Sequence, residues 1–175
     1  MKHTVSSAFQ LNNVPMGVWI DEHGRVVRPA EPAWTSSRTS TFGGKSLATE
    51  GERYVAALRD WVANGNASAS VLSDEEFARR VKPRSPADAD ADASFKLAVW
   101  FQQAGDTALA AKYFERAQSL HPDNWNYHRQ EWSYDKKKEM SNWMAKVRKL
   151  GTKPYYDPVE FPESKNVPAA PPAKP

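Results

Sequence analysis

Apolar positions follow two different periods along the chain. Val14, Met16, Val18, Trp19 and Ile20 form a nearly unbroken run of β-branched and aromatic types, the pattern of a strand covered on both faces. Asp21-Glu22-His23-Gly24 supplies turn residues, and Arg25-Val26-Val27 resumes extended chain, so the piece predicts an antiparallel hairpin. From Arg28 to Ser46, Pro29, Pro32 and Gly43-Gly44 interrupt a stretch dominated by Ser and Thr, which reads as a long loop pinned by Trp34.

Helical period takes over afterwards. Tyr54, Val55, Leu58, Trp61 and Val62 make one stripe, with Thr49 and Glu52 as a capping box and Asn64-Gly65 as the stop, predicting a helix over 50–62. Ser73 and Glu76 repeat the box before a shorter helix that must end ahead of Pro83. Ser85 caps a third, with Pro86 in its first turn, running to about Ala104. Across Gly105-Asp106 lies a fourth, and Leu97, Ala98 and Phe101 are expected to face Ala110, Tyr113, Phe114, Ala117 and Leu120. Small Ala98, Ala110 and Ala117 permit close approach, and Phe101 and Phe114 are assigned to the space between. Pro122 ends that helix, and Asp123 is the expected cap of an aromatic helical stretch from Trp125. From Gly151 the character changes, since seven of the 13 prolines fall in 151–175. Tyr155 to Pro162 has the aromatic surface to lie along the globular part, and disorder is expected after about Glu163.

Composition narrows the chemistry. The 175 residues allow one ordinary domain or two small ones. With no cysteine, thiolate catalysis, disulfides and thiolate metal sites are excluded. Lys and Arg number 24 against 21 Asp and Glu, a charge of +3 that predicts neither a nucleic acid nor a membrane partner. No apolar leader or span is visible, so a cytoplasmic location is expected.

Two resemblances organise these elements. NNVPMGVWIDEHGRVV resembles the second half of a thioredoxin-like domain of the thiol-disulfide oxidoreductase and redoxin group, in which a Val-Pro pair with a cis bond opens the strand beside the active site. That resemblance, over roughly residues 8–63, implies a cis Val14-Pro15 bond, the strand Val18 to Asp21, a Gly24-Arg25 turn, a return strand at Val26-Val27 and a closing helix over 50–62. It also implies that Val14 and Pro15 lie where substrate would bind. The cysteine-bearing half of such a domain has no counterpart in the 13 residues before Val14-Pro15, so the chain reads as N-terminally incomplete and without enzymatic activity of its own. Residues 91–124 resemble one tetratricopeptide unit, with Leu97-Ala98, Phe101, Ala110, Phe114, Ala117 and Pro122 at that family's spacing.

Other constellations are weak. Asp88-Ala-Asp90-Ala-Asp92 imitates the start of a calcium loop, but Ala93 and Val99 stand where glycine and glutamate are required, and helix-start charge is the better reading. Gly44-Lys45-Ser46 lacks the leading glycine and strand of a phosphate loop. His3, His23, His121 and His128 are too dispersed for a metal site. The seven basic residues of 136–153 read as the solvated face of a helix.

The expected fold is therefore α+β: an incomplete thioredoxin-like β-hairpin plus helix in 1–65, a tetratricopeptide-like helical region in 66–150, and a Pro-rich tail in 151–175. The expected function is that of a noncatalytic thioredoxin-like protein or fragment, with a helical protein-interaction module as the alternative. No cofactor or metal is expected, and a protein or peptide is the expected class of partner.

Overall fold

The computed structural model describes residues 3–161. The fold is α+β, with seven helices and two small antiparallel sheets among the described residues. A short helix α1 (Thr4–Ala8) leads through the 9–15 loop into β1 (Met16–Ile20) and β2 (Val26–Pro32). A second hairpin follows, β3 (Arg38–Phe42) and β4 (Lys45–Thr49), and then α2 (Gly51–Asn64), α3 (Asp74–Arg80), α4 (Pro86–Gln103), α5 (Thr107–Leu120), α6 (Trp125–Trp132) and α7 (Glu139–Lys149). No helix among the described residues is long and apolar enough to cross a membrane.

The first hairpin turns at Gly24, which takes φ +78°. Its strands pair in a broken register, with Trp19 opposite Arg28 and Ile20 opposite Val26. β1 is not covered on both faces, contrary to its apolar run. Trp19 is buried while Ile20 is exposed, because the hairpin forms a sheet of its own with one packed side. β2 also continues through Pro29 to Pro32, beyond the expected return strand.

The long loop expected over 28–46 is replaced in its second half by the β3–β4 hairpin. Gly43 and Gly44 both take positive φ, at 57° and 79°, the backbone needed by a tight two-residue turn whose twist suits the flanking strands. Trp34 lies edge-on to Tyr156 with ring centroids 5.2 Å apart.

Helix α2 forms as expected but is not capped by Thr49. The Thr49 hydroxyl instead donates to Ser36 O at 3.0 Å and accepts from the Arg38 N–H at 3.0 Å, joining the 33–37 connection to β4. Chain and helix approach so closely that a Cβ on Gly51 would lie 2.1 Å from Ser36 N. The caps of α3 and α4 agree with expectation: Ser73 accepts from Glu76 N–H, and Ser85 and Asp88 close a reciprocal box. Asn124, not Asp123, caps α6, accepting from Asn126 N–H.

Three apolar clusters hold these elements. The largest contains Ala91, Phe95, Ala98 and Val99 of α4, Ala110, Phe114 and Ala117 of α5, and Tyr127 of α6. Phe95 therefore fills the place expected of Phe101, with its ring 6.0 Å from that of Phe114. Phe101 is only partly buried and Leu97 is exposed. A second cluster joins Trp19, Val27 and Tyr54 to Trp61, Val71, Val159 and Phe161. The third gathers Trp125, Val147 and Tyr155 with Phe42 and Trp143, bringing the second hairpin, α6, α7 and the C-terminal segment together. The expected contact of the 155–162 region with the rest is thus observed through Phe161, whereas the disorder expected after Glu163 lies outside the described residues.

Candidate functional site

Three places gather polar or exposed aromatic groups. The first is the Val14-Pro15 loop. Its peptide bond is cis. Val14 N–H donates to Asn13 Oδ1 at 2.9 Å, and Val14 O accepts from the Tyr156 hydroxyl at 2.5 Å. Pro15 O accepts from Ala33 N–H at 3.3 Å, and Asn13 Nδ2 donates to Tyr155 O at 3.4 Å. The main-chain groups of Val14 and Pro15 that a bound peptide could use are therefore engaged by the chain itself, while the Val14 side chain is exposed.

The second is a groove of about 620 Å³ on the outer side of the α4–α5 hairpin. Ala93, Leu97 and Tyr113 line it, and Asp90, Lys112 and Arg116 add charge of both signs. It exists because α4 carries two apolar stripes. Residues 91, 95, 98 and 99 face the core, whereas Leu97 and Trp100 point away from it and stay exposed. Phe101 stacks on Tyr113 with centroids 5.5 Å apart and 6° between planes, and Trp100 meets Phe101 edge-on at 4.9 Å. The result is an aromatic row open to solvent beside a concave surface, a geometry suited to burying another apolar side chain or helix.

The third was not legible in sequence. Arg28 is fully buried, and its guanidinium makes a two-pronged pair with Glu31, Nε to Oε1 at 2.7 Å and Nη2 to Oε2 at 2.6 Å. Nη1 donates to Ser70 O at 2.9 Å and Nη2 to Glu160 O at 3.0 Å. It also lies 5.2 Å over the Trp19 ring, whose indole N–H donates to the Tyr54 hydroxyl at 2.8 Å. Burial pushes the Tyr54 hydroxyl above its usual range, so it stays protonated.

The remaining titratable groups serve packing. Asp92 accepts from the Tyr127 hydroxyl and from Arg84, and burial followed by the Asp92 hydrogen bond raises the Tyr127 pKa far above the phenolic range. Asp88 is committed to Ser85, and Asp90 lies 3.8 Å from Arg116. The three aspartates of the calcium-like stretch thus diverge to different partners, and no group of three or more potential metal-ligating His, Cys, Asp or Glu residues occurs among the described residues. His128 is held neutral, its pKa pushed down to about 4 by burial and then by Lys146. Two of the basic residues of 136–153 are engaged by neighbours: half-buried Lys146 donates to Pro122 O at 2.8 Å over the Trp125 ring, and exposed Lys153 meets Asp123 at 2.5 Å.

No protein-family model, curated protein or solved structure matches the chain.

Proposed function

We propose that the chain is a noncatalytic protein-interaction module, in which a tetratricopeptide-like α4–α5 hairpin offers its outer groove to an apolar segment of a partner protein. The observation that carries this reading is the second apolar stripe of α4. Leu97 and Trp100 are exposed beside the Phe101–Tyr113 stack, although the hairpin's own core is already filled by Phe95 and Phe114. Exposed aromatic side chains on a rigid helix pair are typical anchors, since they bury much area at small entropic cost. Photo-crosslinking from position 100 in the source cells tests it. A discrete adduct that disappears in Leu97→Ser, with the melting temperature unchanged, is the expected result; adducts spread over many proteins and indifferent to Leu97→Ser would refute it.

A second reading, a noncatalytic relative of thioredoxin-like redox proteins, is favoured by the order in which Val14-Pro15, β1, the Gly24 turn, β2 and, after the β3–β4 hairpin, α2 follow one another. Both readings expect background levels in insulin-reduction and peroxide-consumption assays, because that family's chemistry passes through a thiolate and the chain has no cysteine. Turnover by purified protein would overturn both.

A further inference from the structure

The segment Tyr156–Phe161 lies along the first hairpin without joining it, continuing from Tyr155, which is buried in the third cluster among Trp125, Trp143 and Phe42. It belongs to no helix or strand, and among the described residues none of its N–H groups pairs with a backbone carbonyl. It is held instead at separate points by side chains from several elements. The Tyr156 ring sits against Trp34 and its hydroxyl binds Val14 O. The Glu160 carboxylate meets Arg79 at 3.0 Å and Arg80 at 3.1 Å, and Arg28 donates to the Glu160 carbonyl. The Phe161 ring lies edge-on to Tyr54 and 5.0 Å beneath the Arg53 guanidinium.

Aromatic, acid and aromatic positions each met by separate side chains, with peptide carbonyls taken by side-chain donors, are the features of a bound extended peptide. We propose that the face formed by the first hairpin, α2 and α3 is a binding groove for an extended segment of pattern Tyr-x-x-x-Glu-Phe. Residues 156–161 fill it in cis, and a partner protein carrying the same pattern fills it in trans. This stands on different residues from the α4–α5 groove.

Charge fits the assignment. Arg53, Arg79 and Arg80 surround the acid and the ring at the C-terminal end of the segment, and Glu76 is shared between Arg79 and Arg80. The pair of arginines holds the Glu160 carboxyl below the usual carboxylate range. Departure of the segment does not strand the buried guanidinium, because Arg28 keeps both bonds to Glu31 and its bond to Ser70 O. The donor for a peptide carbonyl is thus organised before any ligand arrives. The tether to α7 is short, so the cis segment has a high effective concentration and a partner must outcompete it or meet the chain when the segment is out.

The test replaces residues 151–153 of the full chain with a site for a sequence-specific protease, cuts there, and follows the nicked protein by native mass spectrometry. The expected result is a noncovalent complex from which a labelled peptide of residues 154–161 displaces the cut segment. That displacement weakens at least about tenfold when the peptide carries Glu160→Lys, or when the protein carries Arg79→Glu with Arg80→Glu, and is unchanged by Leu97→Ser. Unfolding on release of the cut segment, or equal binding of the Glu160→Lys peptide, overturns the proposal. A concentration-dependent dimer of the uncut chain that is lost in Phe161→Ala also overturns it, assigning the face to a second copy.

Discussion

The helical core and the first hairpin close their interiors differently, the first mainly with apolar side chains of neighbouring helices and the second with an aromatic cluster around a buried ion pair. Between α4 and α5 the buried apolar set is alanine, phenylalanine and Val99, all within one helical pair plus Tyr127, and Ala98, Ala110 and Ala117 have no exposed surface. Its cover is local in sequence and apolar, so packing stabilises it directly. Under the hairpin the largest fully buried side chain is a charged one, Arg28, which pairs with Glu31 three residues on and donates also to carbonyls 42 and 132 residues away at Ser70 and Glu160. A buried ion pair adds little net stability, yet removing one partner leaves an unpaired charge in a dry place. The helical core is therefore closed by residues close together in sequence, whereas the hairpin draws part of its cover from segments distant in sequence.

Phe114→Ala gives the largest effect expected in the helical core. It deletes a buried ring that faces Phe95, and should cost about 3–5 kcal/mol in chemical denaturation. Phe101→Ala should cost about half as much or less, because that ring is partly open to solvent. Equal losses would mean that the two apolar stripes of α4 are wrongly divided between core and groove.

Arg28→Ala should cost about 3 kcal/mol, since Glu31 is then buried without a counter-charge. Hydrogen exchange would read the difference between the regions: faster exchange over 16–32 and 68–72, and unchanged protection over 98–120. The double change Arg28→Met with Glu31→Leu should recover most of the loss. If Arg28→Ala accelerates exchange equally in both regions, the two interiors are one cooperative unit and the contrast between them fails.

The same contrast explains what could be foreseen. The Gly24 turn, the Ser73 and Ser85 caps and the α2 stripe, apart from Val62, which is exposed, depend on neighbours a few residues away and were legible. The second hairpin was not, because β3 and β4 have mostly exposed or half-buried positions and hence no apolar alternation to read. Phe101 was assigned to the space that Phe95 fills, because Phe101 lies at helical spacing from Leu97 and Ala98 and only the packing of α5 and α6 decides which ring faces inward. Arg28 looked like loop charge, since nothing near it in sequence announces a partner at Glu160. Of the candidate site residues, Val14 and Pro15 were found in a cis-linked loop as expected, but the Tyr156 hydroxyl that meets Val14 O, like the Tyr155 carbonyl that meets the neighbouring Asn13, comes from a segment 142 residues further along the chain.

A smaller effect is expected at the start of the helical pair. Ser85 accepts from Asp88 N–H while Asp88 accepts from Ser85 N–H, so Ser85→Ala should cost about 1 kcal/mol. Exchange should quicken in the first turn of α4 and leave the hairpin untouched. A loss near zero would mean that packing of Ala91 and Phe95 alone fixes where α4 begins.

The finest separation of the two regions is by pH. His128 lies between α5 and α7, its Nε2 3.2 Å from Pro122 O and close to Lys146, and its pKa is held down at about 4 against an ordinary value of 6.5. A neutral ring in the folded chain means that the unfolded chain takes up the proton first as the pH falls, so stability is full above 6.5 and declines from there toward about 4. The loss should be on the order of 1 kcal/mol, less than the full linkage because the ring is partly open to water. The hairpin region has a different window. Hydrogen bonds from Arg79 to Glu160 and from Arg80 to Glu76 depress both carboxyls below 4.5, so their contribution is intact down to that pH and fades only beneath it. Asp88 and Asp123, also depressed, give the helical region a similar acid limb, which leaves the interval from pH 6.5 to 4.5 to the histidine. His128→Gln should flatten the dependence of the melting temperature across that interval, and exchange in wild-type protein at pH 5 should quicken around α6 and α7 before it quickens in β1 and β2. If His128→Gln leaves the slope unchanged, the proton responsible is taken up elsewhere, and the two regions are not distinguished by acid.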